Sequence, residues 1–214
     1  MLSKTHLAIG LASTITILAP DTAQELCPVI VGASWGSIIC DIDCKFSKSK
    51  DAVLGRSIAG VLTAGAMYED AVSNGPMFSF WQKAPIIPLV IATIVFLITA
   101  YFARESEHRF FSHSLIAFAL FAGSIFFICR PVVLPFILGY ASHLILDMLN
   151  FRPVHSLYPM KKGYSIKWRK AKSRANTVIM AIGCIWLIGV CALYAPKWID
   201  TFSANQIVNT EVAR

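Results

Sequence analysis

Two stretches of this chain, residues 84–103 and 175–196, run for 20 and 22 residues without one charged side chain. A helix rises 1.5 Å per residue, so about 20 residues cross a hydrocarbon core of roughly 30 Å. Inside a bilayer the backbone polar groups of such a run must be satisfied within the segment, which selects helix. Composition points the same way: 56% of the residues are hydrophobic, 14% are charged, and the mean hydropathy is +0.63. An average soluble domain carries about 25% charged residues. With little more than half of that, 214 residues cannot coat a water-facing surface. The sequence therefore predicts an all-α fold, a polytopic transmembrane helical bundle of six to seven segments in a single integral-membrane domain, residues 1–214.

The remaining segments are shorter. Residues 114–129 and 131–146 are apolar runs separated only by Arg130, and they read as a helical hairpin turning at Arg130-Pro131. Residues 6–20 and 26–40 are rich in Gly, Ser and Thr, as closely packed membrane helices are. Lys4 before an apolar stretch also fits a secretory signal peptide. A retained helix is the preferred reading, because no small-x-small cleavage site follows and His6 interrupts the apolar start. Residues 57–68, ahead of Glu69 and Asp70, form the poorest segment.

Parity and charge decide how to count that segment. With a cytoplasmic N-terminus and seven crossings, Lys4, Lys45, Lys48, Lys50, Arg56, Arg104 and Arg109 fall on the cytoplasmic side. So do Arg152, Lys161, Lys162, Lys167, Arg169, Lys170, Lys172 and Arg174, making 15 of the 19 basic residues. Lys83, Arg130, Lys197 and Arg214 are left outside. This is the expected positive-inside bias, and it weakens if 57–68 does not cross. The formal net charge of +7 is thus a matter of orientation and of contact with anionic lipid headgroups. No nucleic-acid partner is expected, since no zinc-finger, helix-turn-helix or RNA-binding pattern is present. The six cysteines show no Cys-x-x-Cys spacing; Cys40 and Cys44, which flank an Asp pair, read as packing residues rather than ligands.

In the same topology His6, His108, His113, His143 and His155 share the cytoplasmic face with Asp41, Asp43, Glu105, Glu107 and Asp147. Imidazoles and carboxylates gathered at one face are a candidate metal site. His143 and Asp147 are the sharpest pair, four residues apart on one helical face. The plainer alternative is an interfacial hydrogen bond in which Asp147 only fixes His143. Ser112 reads as an N-cap with His113 as the first residue of its helix. Asp41-Ile42-Asp43 closes an apolar segment and is either a pair of hard oxygen ligands or a solvated helix end. His6 taken alone reads as an interfacial histidine.

The order Thr5-His6, Asp41-Ile42-Asp43 with Gly55-Arg56, His108-Arg109-x-x-Ser112-His113-Ser114, Gly139-Tyr140-x-Ser142-His143-x-x-x-Asp147 and Tyr158-Pro159 resembles a known family. It is similar to the bacterial LexA-regulated, membrane-bound (inner-membrane) metal-dependent hydrolases, over residues 1–56 and 107–160. Cys40 stands where that family has Pro, Cys44-Lys45 where it has His-Pro, Glu107 and Phe110 where it has Gly, and Asn150-Phe151 where it has Thr-Pro. Residues 57–103 read as a helical insertion, and 150–174 as a basic cytoplasmic loop. The resemblance implies a multi-pass inner-membrane hydrolase with its site at the cytoplasmic face. It implies metal ligands His6, Asp41, Asp43, His113, His143 and Asp147, with His108 as an outer-sphere group or general acid and Arg109 as a phosphate-holding cation. The implied cofactor is a divalent metal ion, zinc first, with manganese or iron next. The partners are membrane lipids and a phosphoester or lipid-linked substrate. The alternatives are a divalent-metal transport or sensing protein, and a structural or stress-response membrane protein with a degenerate site.

The topology makes a direct prediction. Single cysteines placed in the loop 152–174 and in the stretch 108–113, on a background lacking the native cysteines, should resist an impermeant thiol reagent in intact cells. Labelling of either from outside would overturn the orientation.

Overall fold

The computed structural model describes residues 2–43, 49–160, 162–168 and 174–212, without the side chains of residue 174 and of those from 204 onward. The expectations for Cys44, Lys45, Lys48, Lys161, Arg169, Lys170, Lys172 and Arg214 lie outside the described residues, as does the side chain of Arg174. The fold is all-α. Eight α-helices follow in order: α1 (Ser3–Leu18), α2 (Ala23–Ile38), α3 (Lys50–Val72), α4 (Pro76–Lys83), α5 (Ile86–Glu105), α6 (Leu115–Ile128), α7 (Val133–Met148) and α8 (Arg174–Val212). Three 3-10 turns, Ile39–Ile42, Phe111–His113 and Arg130–Val132, extend or join them.

Local chemistry sets the boundaries. Thr22 caps α2 by accepting from the Glu25 N–H, while the Glu25 carboxylate accepts from the Asp21 N–H just ahead of the cap. Ser49 and Ser114 cap α3 and α6 by accepting from Ala52 and Ala117. Ser114 thus takes the role expected of Ser112, because a 3-10 turn intervenes and frees the Ser112 hydroxyl for another partner. The hairpin between α6 and α7 turns at Arg130-Pro131 as the sequence predicts.

Among the described residues, four stretches are long and apolar enough to cross a membrane: Ala23–Ile42, Ile86–Glu105, Arg130–Met148 and Ala175–Ser203. That is fewer than the six to seven expected. Helices α1 and α6, at 16 and 14 residues, fall short of the roughly 20 that span unaided. Helix α3 is far longer than the 57–68 expected, but Lys50, Asp51, Arg56, Glu69 and Asp70 dilute it. Outward-facing residues such as Ile87, Leu97, Ile185 and Leu193 are between 61% and 71% exposed, an apolar surface that lipid covers and water would not tolerate.

Helix α2 is central, packing on α1, α3 and α7, while α1 also packs on α7 and α8. Glycine permits the closest of these approaches. A Cβ at Gly36 would lie 2.3 Å from the Phe136 carbonyl oxygen, and one at Gly139 2.7 Å from that of Ala33. With little hydrophobic drive between helices in lipid, such backbone contact and its dispersion energy hold the pair. Helix α8 is anchored to the end of α1 by the Trp186 and Trp198 indoles, which donate to the Thr16 hydroxyl and the Pro20 carbonyl.

The loop read as basic and cytoplasmic folds back over one end of the bundle. Val154 and Tyr164 form an antiparallel bridge, and Ile166 donates to the Met148 carbonyl. This lid joins the end of α7 to the start of α6 through the Leu115 N–H and the Ser156 carbonyl, 2.9 Å apart.

Gly36→Ala and Gly139→Ala should each cost about 1–3 kcal/mol by overpacking. Gly123→Ala, where a Cβ meets nothing within 4 Å, should be neutral or slightly stabilising, because Ala is the better helix former. Thermal unfolding in detergent checks all three.

Candidate metal centre

Helices α1 and α7 run side by side because both lie on α2, and the ionisable residues of each meet at one end of the pair. His6 comes from the first turn of α1, and His143 and Asp147 from the last turns of α7. Asp41 is set by the 3-10 turn that extends α2, and His113 by the one that precedes α6. The three histidine rings are 0% exposed, Asp147 1% and Asp41 4%. Charges this dry persist only when paired or bound to a cation.

His143 Nδ1 lies 2.6 Å from the Ser37 carbonyl oxygen. A carbonyl only accepts, so Nδ1 carries the proton and Nε2 of the neutral ring presents a lone pair. That Nε2 is 3.2 Å from His113 Nε2, 3.8 Å from Asp41 Oδ1 and 3.9 Å from Asp147 Oδ2. His113 Nε2 is 3.3 Å from Asp147 Oδ2, and His6 Nε2 is 3.3 Å from Asp147 Oδ1. The His6 and His143 rings stack with centroids 3.8 Å apart. Among the described residues, two groups have candidate ligand atoms all within 4.8 Å of one another: His6, Asp41 and His143, and His113, His143 and Asp147. Atoms held about 2.0–2.1 Å from a zinc at tetrahedral angles sit roughly 3.3 Å apart. The His113–His143, His113–Asp147 and His6–Asp147 pairs have that spacing, while the His143–Asp41 and His143–Asp147 pairs are wider at 3.8 and 3.9 Å. His6 adds a further observation: its Nε2 faces the Asp147 carboxylate, while its buried Nδ1 has no hydrogen-bond partner among the described residues.

The surrounding residues hold these groups in place. Ser3 Oγ donates to Asp41 Oδ2 at 2.8 Å, and Asn150 Nδ2 to Asp147 Oδ1 at 2.8 Å. The Ser112 hydroxyl meets His113 Nδ1 at 2.9 Å, and Tyr140 Oη donates to the Ser112 carbonyl at 2.7 Å. Such outer contacts fix ring and carboxylate orientation. Sequence reasoning missed all of these supports. Asn150, three residues beyond Asp147, carried a local signal; Ser3 and Ser37 carried none.

Asp43 is not brought into either group. Its Oδ2 lies 2.6 Å from His108 Nδ1, while its buried Oδ1 has no hydrogen-bond partner among the described residues. The 3-10 turn ends between Asp41 and Asp43, so the two carboxylates diverge instead of clasping one ion. His108, with 11% of its side chain exposed, is the more accessible of the two, and its ring lies 5.6 Å from that of His113. Arg109 also behaves differently from a free phosphate clamp. Its Nη2 is 2.8 Å from Asp147 Oδ2, and its Nη1 donates to the Arg152 carbonyl at 2.8 Å. Only Nε is left without a partner among the described residues. Its backbone sits at φ 68°, a strained conformation for a non-glycine residue that turns the guanidinium inward while its carbonyl accepts from the His155 N–H. His155 is thereby placed in the lid, against Phe110, outside the cluster. Cys40 is 0% exposed and belongs to the apolar core.

Residues 1–207 match the family described as YdjM inner membrane protein, a span that takes in every residue of the cluster and its supports. The chain belongs to this family. No curated protein and no solved structure matches it. Membership of an inner-membrane family accounts for the lipid-facing surfaces of α5 and α8.

Removing Arg109 tests the electrostatics of the cluster. Arg109→Ala strips a buried carboxylate of its guanidinium partner and should destabilise by about 3–5 kcal/mol. Asn150→Ala should cost about 1–3 kcal/mol. Unfolding in detergent measures both, and a negligible effect of Arg109→Ala would mean that the charge of Asp147 is balanced by other groups.

Proposed function

We propose that this chain is a metal-dependent hydrolase of the inner membrane, with a divalent ion held by His6, Asp41, His113, His143 and Asp147. The observation that carries this reading is the convergence of His143 Nε2, His113 Nε2, His6 Nε2 and the Asp147 carboxylate in a dry site. Three imidazoles with two carboxylates suit zinc, with manganese or iron as harder alternatives. When bound, such an ion supplies Lewis acidity, which polarises a substrate oxygen and acidifies water.

The protein's own groups supply the rest. Asp43 holds the His108 ring through Nδ1, so that the imidazole can pass a proton at the accessible edge of the site, in the manner of a carboxylate-oriented acid–base histidine. Arg109 fixes Asp147, and its Nε, the one guanidinium nitrogen without a partner among the described residues, is the donor left for an anionic, phosphoester-type substrate. Asp43 therefore moves, in this proposal, from ligand to orienting group. The topology that goes with it is the seven-crossing one, with α1, α3 and α6 crossing as short or polar members where the bilayer thins to meet them, and with the cluster on the cytoplasmic side. LexA regulation belongs to the same proposal through the resemblance.

One observation favours a rival. Arg109 and Asn150 already engage both oxygens of Asp147, which suits a structural ion-pair core with no metal. A transport or sensing role draws no such support, since the cluster sits at one end of α1 and α7 rather than along them.

Metal stoichiometry by elemental analysis decides. Wild-type protein purified in detergent should retain a divalent ion, and His143→Ala and Asp147→Asn should each lose it while still inserting in the membrane. The double variant should add little, because one lost ligand already empties the site. Full occupancy in His143→Ala would overturn the proposed ligand set, and a metal-free wild type would favour the structural core.

A further inference from the structure

A second feature adjoins the 3-10 turn that carries Asp41. A cavity of about 600 Å³ opens among α2, α3, α4, α5 and the α6–α7 hairpin, within the roughly 300–1,000 Å³ typical of small-molecule sites. On α2 and its 3-10 extension it runs from Val31 to Ile42, about 16 Å at the helical rise. Its lining offers almost nothing polar. The Trp35 indole donates to the Thr63 hydroxyl, the Trp81 indole to the Ile128 carbonyl, and the Thr93 hydroxyl to the Leu89 carbonyl. With these donors spent, only the weakly polar Cys129 thiol remains, and water has no partners there. Met67 and Leu97, at opposite edges, are 41% and 61% exposed, so the cavity opens sideways between α3 and α5 toward the bilayer.

The inner end of this cavity shares a structural element with the metal centre. In a 3-10 helix side chains three apart eclipse one another. Ile39 and Ile42 accordingly both face the cavity, while Asp41 between them carries its carboxylate to His143. Helix α7 repeats the arrangement: Phe136 lines the cavity, and His143 stands seven residues further on, roughly 10 Å along the axis. An apolar slot open to lipid thus reaches one side of the turn whose other side carries Asp41 to the cluster.

We propose that this cavity takes an acyl chain of a membrane phospholipid whose phosphate-bearing headgroup lies at the His6–Asp41–His113–His143–Asp147 cluster. This rests on the hydrolase reading and names its substrate class as a lipid phosphoester. The chain enters laterally past Met67 and Leu97, and its burial supplies affinity in proportion to the apolar area covered, leaving the polar residues to position the headgroup.

The test uses the full chain reconstituted in phosphatidylethanolamine vesicles. A trace of phosphatidylethanolamine with a diazirine midway along one acyl chain is photolysed, and the labelled residues are mapped by mass spectrometry. Labelling should concentrate on Met67, Phe96 and Leu97, severalfold above Ile91 and Phe127 in the separate α5–α6 groove and above Ile185 on α8. Filling the cavity with Ala100→Trp, or with Thr93→Phe should that variant misfold, should remove the excess and leave the α5–α6 labelling unchanged. The same lipid with the diazirine on its headgroup should label the stretch 108–112, and should cease to do so in the filled variant. Even labelling of cavity, groove and α8 overturns the proposal, as does headgroup labelling away from 108–112. Labelling requires neither metal nor turnover. A metal-free protein that labels as expected defeats the hydrolase reading alone, and a metal-bearing protein that labels evenly defeats this inference alone.

Discussion

A carboxylate buried in an apolar bundle is the constraint around which this protein is organised. Asp147 is 1% exposed near the end of a mostly apolar helix in which it is the one carboxylate, and a bare charge there costs several kcal/mol. Groups from three other parts of the chain answer it: Arg109 and His113 from the segment before α6, Asn150 from the start of the lid, and His6 from α1. Each is itself buried, so each needs positioning, and the requirement spreads outward. Arg109 adopts a left-handed backbone and hands its second nitrogen to the Arg152 carbonyl. The N-terminus of α1 is held by Asp51 of α3, which accepts from the Ser3 N–H at 2.6 Å.

The packing and the polar network depend on each other. Gly36 and Gly139 let α2 and α7 approach closely enough for the Ser37 carbonyl to reach His143 Nδ1. That one bond fixes the tautomer of a ring in the middle of the cluster. Neither neighbour at position 36 or 139 touches a ligand, yet a methyl group at either would push apart the two helices that carry them. The stability of this membrane fold and the geometry of its site thus rest on the same backbone contact.

The cluster and the apolar cavity share two elements, the 3-10 turn after α2 and helix α7. In each, alternate sides of a short stretch serve different surroundings, with Ile39, Ile42 and Phe136 toward the cavity and Asp41, His143 and Asp147 toward the polar end. A bilayer protein with such a division is suited to amphipathic molecules, whose two ends need those two environments at a fixed separation.

The sequence by itself determined the solvent. Uncharged runs of 20 and 22 residues with only 14% charged residues leave a bilayer as the one medium in which this chain can bury its surface, and helix as the form its spanning runs can take. It also determined the α6–α7 hairpin, because Arg130-Pro131 is a local signal, and the pairing of His143 with Asp147, because four residues is one helical turn. The tertiary structure alone decided which of the singled-out groups meet. His6 looks interfacial in sequence and is buried against Asp147, because α1 packs on α7 through α2. Asp41 and Asp43 look equivalent, but a turn that ends between them sends one to His143 and the other to His108. Ser112 looks like a cap and instead steadies His113, since the helix begins two residues later. The fates of His6, Asp41 and Asp43 depend on contacts between residues 65 to 141 positions apart, and no local pattern encodes a contact across that distance.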